Sequence, residues 1–239
     1  MRLIHTTAVL AIVAFAAASG AAPAPQTDRE IAELSGPAKS VRLEVQEFDK
    51  YTGKLDTERM PKLEHWYDRA GNLLEEKYYT PDFIDDKHAQ RIDAQTTMLK
   101  SNMGDKKRHR VFDSGGKLVE ETIYTTDGTT WQVLDWSRFK YDAHGRRIET
   151  DDIRQGKVDG ATLMKRDAKG NLVRLEFHYN RNHAPFPCTW YEDYKFDRHG
   201  NWTERNVYDF DPEAGKPTRT FSGIDYQVIE YYGDSKPAR

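Results

Sequence analysis

An aspartate and a histidine lie two residues apart in the stretch 141–145, Tyr-Asp-Ala-His-Gly, a pair that could serve acid–base chemistry. The same aromatic-Asp-x-x-Gly pattern, or a close copy, recurs five times, usually without the histidine. The recurring pairs are Asp68 and Gly71, Asp113 and Gly116, Asp142 and Gly145, Asp167 and Gly170, and Asp197 and Gly200. An aspartate accepts hydrogen bonds from turn amides, and glycine adopts the left-handed conformation. The repeat therefore predicts five β-hairpin turns rather than a catalytic motif.

Carboxylates recur at a fixed distance from these turns. Four residues past each turn glycine stand Glu75, Glu120, Glu149 and Glu204, with Arg174 in the fourth copy. Hairpins stacked in register would place them in one column on one face, where they could bind a cation or a basic partner. A glycosidase pair of carboxylates is a further hypothesis. The alternative is an exposed polar face with ordinary cross-strand ion pairs.

Aromatic residues accompany the repeat and make up 12% of the chain. Trp131, Trp136 and Trp202 could form a glycan- or peptide-binding platform, because rings stack on apolar sugar faces. The same rings could instead form the core, since a sheet with few aliphatic residues needs large side chains and β-strands favour them.

Metal, cofactor and nucleophile signatures are lacking in the sequence. The histidines show none of the usual metal-ligand spacings, and the turns lack the successive oxygen ligands of a calcium loop. The single cysteine, Cys188, is predicted to be a buried, inert thiol. We therefore predict no metal, no cofactor and no catalytic residue. Whether the protein is an enzyme is left open, with a non-enzymatic role favoured.

The overall composition bounds the partners and the compartment. The 239 residues carry a formal net charge of −3, which gives no electrostatic basis for nucleic-acid binding. Residues 1–22 combine Arg2, an apolar run and small residues, the pattern of a secretory signal peptide. We expect a periplasmic or secreted bacterial protein with no membrane span after signal removal.

The rest of the chain is predicted to be an antiparallel meander of β-hairpins. Residues 23–39 form a linker or a short helix capped by Thr27 or Asp28, residues 40–232 the hairpin domain, and residues 233–239 a flexible tail. Residues 81–107 are the exception: their apolar residues favour a helix or an excursion loop, although a strand at 96–99 is an alternative. The predicted fold class is all-β, an extended sheet that could curl.

The motif in 141–148, Tyr-Asp-Ala-His-Gly-Arg-Arg-Ile, resembles the YD repeats, also called RHS repeats, of bacterial secreted and cell-surface proteins. The segment 67–73, Tyr-Asp-Arg-Ala-Gly-Asn-Leu, is similar to it. The resemblance implies stacked β-hairpins in a long strip of sheet, which in large family members spirals into a shell around a cargo. It supplies no catalytic residues. The turn aspartates here are irregularly spaced, at 45, 29, 25 and 30 residues. The repeats are also too few, and we expect that they cannot close a shell.

Three functions follow from these features. The first is an exported, non-enzymatic binding or structural module whose sheet face or open edges contact an envelope component, a glycan or a protein. The second is an exported hydrolase of a cell-wall or polysaccharide substrate that uses acidic residues. The third is an immunity-type inhibitor of an exported toxin, which would dock an acidic patch on a basic active site.

Overall fold

The structure is a computed structural model, and it describes residues 23–179, 188–211 and 218–234. The predicted signal peptide and most of the predicted tail lie outside the described residues. One short helix is followed by fifteen strands. Their bounds are α1 (Asp28–Ile31), β1 (Ala38–Asp49), β2 (Lys54–Leu55), β3 (Met60–Tyr67), β4 (Leu73–Tyr79), β5 (Ile84–Arg91), β6 (Thr96–Ser101), β7 (Lys106–Phe112), β8 (Leu118–Thr126), β9 (Trp131–Tyr141), β10 (Arg147–Arg154), β11 (Lys157–Arg166), β12 (Leu172–Tyr179), β13 (Cys188–Phe196), β14 (Trp202–Asp211) and β15 (Thr218–Tyr231).

The strands form an antiparallel meander that closes on itself. Each strand from β3 onward pairs with the next, and β1 pairs with β3 on one side and with β15 on the other. The closing ladder runs from Ala38 opposite Tyr231 to Glu47 opposite Gly223. The result is a 14-stranded β-barrel, and β2 is a two-residue strand that pairs antiparallel with the end of β1. The all-β meander is confirmed, whereas the extended sheet is wrong, because β1 and β15 pair and remove both edges.

The five Asp-x-x-Gly turns have the predicted chemistry and lie at one mouth of the barrel. In the first of them, the Gly71 amide donates to the Asp68 carbonyl (3.0 Å), and the Asp68 carboxylate accepts from the Asn72 amide (2.9 Å). The same bonds recur in the other four turns. Every turn glycine has a positive φ, between 77° and 97°. These turns therefore set the hairpin register.

Residues 23–37 cross this mouth and close it; we call them the N-terminal plug. Thr27 and Glu30 form a capping box that starts α1. The plug is bonded to the turns through Gln26 N to Gly116 O (2.8 Å), Arg29 N to Gly71 O (3.0 Å) and Ser35 N to Asn201 Oδ1 (2.7 Å). The apolar core lies at this mouth and combines Leu34 of the plug with Ala38, Val41, Tyr67, Leu73, Leu99 and Tyr231 of the barrel.

Residues 81–107 contribute β5, β6 and the start of β7, so the expectation of a helix or an excursion loop is wrong, whereas the alternative of a strand at 96–99 is confirmed by β6. The inward positions of β5 are Asp85 and Lys87, both buried and paired with each other (3.2 Å). A strand with charged side chains on both faces lacks the alternation of apolar and polar residues by which strands are recognised. In the described part of the chain, no helix is long or apolar enough to cross a membrane.

Candidate functional site

A cluster of ion pairs occupies the barrel interior beside the plug. Glu76 on β4 accepts from Lys87 Nζ (3.1 Å) and from Arg108 Nη2 on β7 (3.3 Å), and its carboxylate lies 3.3 Å from His65 Nε2. Two strands separate β4 from β7, so this contact is made inside the barrel. The side chains of Glu76, Lys87 and Arg108 are only 4%, 6% and 10% exposed.

The plug contributes a charge to the same cluster. Asp28 in α1 forms an ion pair with Arg110, and its other carboxylate oxygen accepts from the Leu73 amide (2.8 Å). Arg110 also donates to Glu121 (2.7 Å), which lies 3.7 Å from Arg108. The cluster therefore joins the plug to strands β4, β5, β7 and β8 of the barrel wall.

The environment of the cluster keeps the carboxylates of Glu76 and Asp28 ionised. Burial alone would raise the pKa of Glu76, but the hydrogen bond with His65 and the positive charges of Arg108 and Lys87 hold that pKa well below its usual range. Burial would also raise the pKa of Asp28, but the positive charge of Arg110 and the hydrogen bond from the Leu73 amide lower it. A general acid needs a raised pKa, so neither carboxylate is suited to donate a proton near neutral pH.

Two cavities flank α1. One, of about 360 Å³, lies over the cluster and is lined by Tyr67, Tyr78 and Arg147 among others. Burial followed by the charge of Glu76 raises the pKa of Tyr78 to about 12, so its hydroxyl stays neutral. The other cavity, of about 410 Å³, is lined by residues that include Tyr194 and Arg205.

The guanidinium of Arg205, which lines the second cavity, is paired with a carboxylate. Arg205 donates two hydrogen bonds to Asp225 (2.8 and 3.0 Å) and packs over the rings of Tyr191 (3.7 Å) and Trp202 (4.3 Å). Trp202, a predicted binding residue, therefore serves the barrel interior rather than an exposed platform.

A cleft opens at the opposite end of the barrel, which we call the far mouth. The ladder between β9 and β10 runs from Tyr141 opposite Arg147 to Ser137 opposite Asp152 and ends there. Beyond it, residues 131–136 of β9 pair only with β8, and residues 153–154 of β10 pair only with β11, among the described strands. The space between them, the β9–β10 cleft, has a volume of about 650 Å³.

The β9–β10 cleft is apolar along its edge and acidic within. Val133 and Leu134 line it and are 57% and 55% exposed. Asp135 and Asp152 both line the cleft. Burial and then the negative charge of Asp135 raise the pKa of Asp152, and the positive charge of Arg154 opposes that rise.

The four predicted carboxylates are not brought together. Glu75, Glu120, Glu149 and Glu204 lie on β4, β8, β10 and β14, spaced round the barrel. Each has a basic neighbour: Lys77 (2.6 Å), Arg138 (3.1 Å), Lys140 (2.7 Å) and Lys195 (2.6 Å), respectively. Arg174 likewise pairs with Glu176 (3.1 Å). The single column is therefore replaced by separate ion pairs on the outer face, the alternative that the sequence left open.

Of the three predicted tryptophans, the structure brings two to the same element. Trp131 and Trp136 both lie on β9, but only Trp136 lines the β9–β10 cleft; Lys107 Nζ packs over the Trp131 ring (5.0 Å), and Trp202 faces the interior. Cys188 is buried, as predicted.

One possible set of metal ligands escaped the sequence analysis. Oxygen or nitrogen atoms of Glu75, Asp86 and His88 lie within 4.8 Å of one another on the outer face. Lys77 Nζ lies 2.6 Å from Glu75 and 3.6 Å from Asp86, so an ammonium group already supplies the positive charge there. The pairing of Glu75 with His88 across β4 and β5 could not be foreseen while residues 81–107 were expected to be helical.

Comparisons with known proteins identify no family for the chain. No family model and no curated protein matches the chain. Among solved structures, the chain is similar to a porin-like protein from Bacteroides uniformis, with 10% sequence identity and a TM-score of 0.46. The alignment covers 82% of this chain and 99% of that one. Similarity at this level assigns no function.

Proposed function

We propose that the protein is an exported, non-enzymatic binding module that contacts a protein partner at the β9–β10 cleft. One observation carries the proposal. The flanking β8–β9 and β10–β11 ladders continue to the ends of their strands at the far mouth, but the β9–β10 ladder stops short of it and leaves an apolar edge exposed. Exposed apolar residues along an unpaired strand edge are typical of interaction sites.

The barrel interior supports a binding role over a catalytic one. In the interior cluster, Glu76 and Asp28 are bound by cations and kept ionised, and Arg205 is bound by Asp225. Such groups stabilise the barrel and its plug, and they offer neither a free nucleophile nor a proton donor.

The outer face supports a location in the aqueous part of the envelope. A barrel embedded in lipid presents an apolar band, and a charged residue there costs about 2–4 kcal/mol near the bilayer midplane. Here the outward residues include the ion pairs Glu120–Arg138, Glu149–Lys140 and Glu204–Lys195. Together with the signal-like residues 1–22, this favours export to the periplasm or the medium.

The five matching turns support a relation to the YD repeats, although the hairpins of this chain form a small closed barrel and not a shell. In this chain we infer that the repeated hairpins close a barrel around the chain's own N-terminal plug. The plug takes the place that a separate cargo would have in a larger shell.

Photo-crosslinking tests the proposed function. The full-length chain would carry p-benzoylphenylalanine at Val133, be produced with its export segment, and be irradiated in cells. The matched control is Leu74, an apolar residue of similar exposure (48%) near the opposite mouth. We expect discrete adducts from position 133 and not from position 74. Equal labelling at both positions, or none at 133, would argue against a partner at this cleft.

A second candidate function is supported by Asp152. Its raised pKa and the neighbouring Asp135 fit an acid–base pair in a hydrolase. That function requires turnover of cell-wall or polysaccharide substrates, lost in Asp152→Asn and retained in Asp82→Asn. No turnover by the wild-type protein would eliminate it.

A further inference from the structure

We propose, resting on the proposed function, that the partner supplies an extended basic segment, which adds to the free edge of β9 and seats a lysine or arginine between Asp135 and Asp152. The immunity-type alternative would be a special case, in which the basic segment belongs to a toxin.

The backbone of β9 provides the template. In an antiparallel pair, every second residue directs its N–H and C=O groups away from its partner strand. Over residues 131–136 these groups point away from β8, and no described strand receives them. Six residues of strand span about 20 Å, the length of an ordinary β-strand. An added strand could therefore pair along the whole segment, the mode of recognition called β-strand addition.

The side chains of the cleft divide between its two faces. Asp152 lies opposite Ser137, and Asp135 is two residues before Ser137, so both carboxylates lie on the inner face. Trp136 alternates with them and lies on the outer face. A segment added to β9 would thus direct alternate side chains inward toward the carboxylates and outward toward Trp136.

Charge identifies the class of segment. Neither Asp135 nor Asp152 has a basic partner within 4 Å in the described part of the chain. Arg154 is the cation that lines the cleft with them, and it is bound to Asp159 (3.2 Å). A lysine or arginine on the inner face of the added strand would neutralise this pair, whereas a glutamate would add a third negative charge.

The same features have a competing explanation. Leu134 is an extra residue opposite the step from Ile123 to Tyr124, which makes a β-bulge. Bulges and inward-pointing charges are devices by which proteins keep free edges from pairing. Under that explanation no segment binds at the edge, so the two accounts predict opposite results.

Synthetic ten-residue peptides test the inference by fluorescence polarisation. The host peptide alternates threonine and valine and carries one central lysine; a second peptide carries glutamate there, and a third is the lysine peptide N-methylated on every amide, so that neither of its edges can donate to a strand. We expect the lysine peptide to bind at least about tenfold more tightly than the glutamate peptide. The N-methylated peptide should not bind, because its amides cannot pair with β9.

Variants separate the contribution of the two carboxylates from that of backbone pairing. Asp135→Asn/Asp152→Asn should abolish the preference for lysine, whereas Asp56→Asn/Asp82→Asn makes the same change of charge at exposed sites and should leave it intact. Melting temperatures confirm that each variant is folded. Equal binding of the lysine and glutamate peptides would overturn the charge argument, and equal binding of the N-methylated peptide would overturn strand addition.

Failure of the inference can be told from failure of the proposed function. Crosslinks at Val133 without binding of any peptide would overturn the basic segment and leave a protein partner in place. Neither crosslinks nor peptide binding would overturn both and favour the protective bulge. Concentration-dependent dimerisation that Val133→Ser/Leu134→Ser abolishes would show that a second copy of the chain occupies the cleft, which also overturns the basic segment.

Discussion

Replacing Glu76 by glutamine tests whether the ion cluster holds the barrel and its plug together. The change keeps the shape of the side chain and removes the charge that faces Lys87 and Arg108. All three side chains are at most 10% exposed, so water cannot replace the lost charge, and Lys87 is left with Asp85 (3.2 Å) and Arg108 with the more distant Glu121 (3.7 Å). Removing one partner of a buried ion pair costs about 3–5 kcal/mol.

This cost sets the size of the expected signal. For a chain of this length, 1 kcal/mol corresponds to about 2–4 °C in melting temperature, so Glu76→Gln should lower it by about 6–20 °C. Glu120→Gln is the matched control. Glu120 pairs with Arg138, which is 49% exposed, and loss of such a surface pair costs less than about 1 kcal/mol.

The assay is thermal and urea unfolding of both variants beside the wild type at neutral pH. The free energy of unfolding should fall several-fold more in Glu76→Gln than in Glu120→Gln. Equal losses in the two variants would refute the reasoning, because they would mean that the interior cluster is as well solvated as the outer face.

Three further predictions concern the plug and its turns. Because Asp28 and Glu76 have pKa values below their usual 3.8 and 4.5 in the folded state, the stability they contribute is complete above about pH 5 and is lost as the pH falls below 4; a urea midpoint independent of pH from 6 to 3 would contradict this. Gly116→Ala should lower the melting temperature more than Gly200→Ala. Both sites have positive φ, but of the two only Gly116 would bring the added Cβ against a backbone carbonyl of the plug. Equal losses would count against that contact. Asn201→Ala should cost about 1–3 kcal/mol and speed tryptic cleavage at Arg29, because the Ser35 amide and carbonyl lose their partners; unchanged cleavage would show that Asn201 does not hold the plug.

The hairpin turns were predictable because their chemistry is local. The carboxylate of Asp68 bonds amides within four residues, and Gly71 needs only its own backbone freedom. A capping box within four residues likewise made the helix after Thr27 predictable. Closure was not predictable, because it depends on pairing between β1 and β15, almost two hundred residues apart in sequence.

The polar interior explains the other errors. A sheet with one apolar face shows alternation in its sequence, but β5 directs Asp85 and Lys87 inward and Asp86 and His88 outward. That pattern carries no signal for a strand. The β9–β10 cleft was hidden for a related reason: the point at which two strands stop pairing depends on the twist and size of the whole barrel, not on residues 131–136 themselves.

Amide hydrogen exchange of the full-length protein with and without the lysine peptide tests the central claim most directly. The account predicts fast exchange in residues 131–136 of the free protein, where half of the amides have no described ladder partner, and strong slowing there on binding. Exchange in β3 and β4, at the plugged mouth, should not change. Residues 131–136 that are already protected in the free protein, or that are unaffected by saturating peptide, would contradict it.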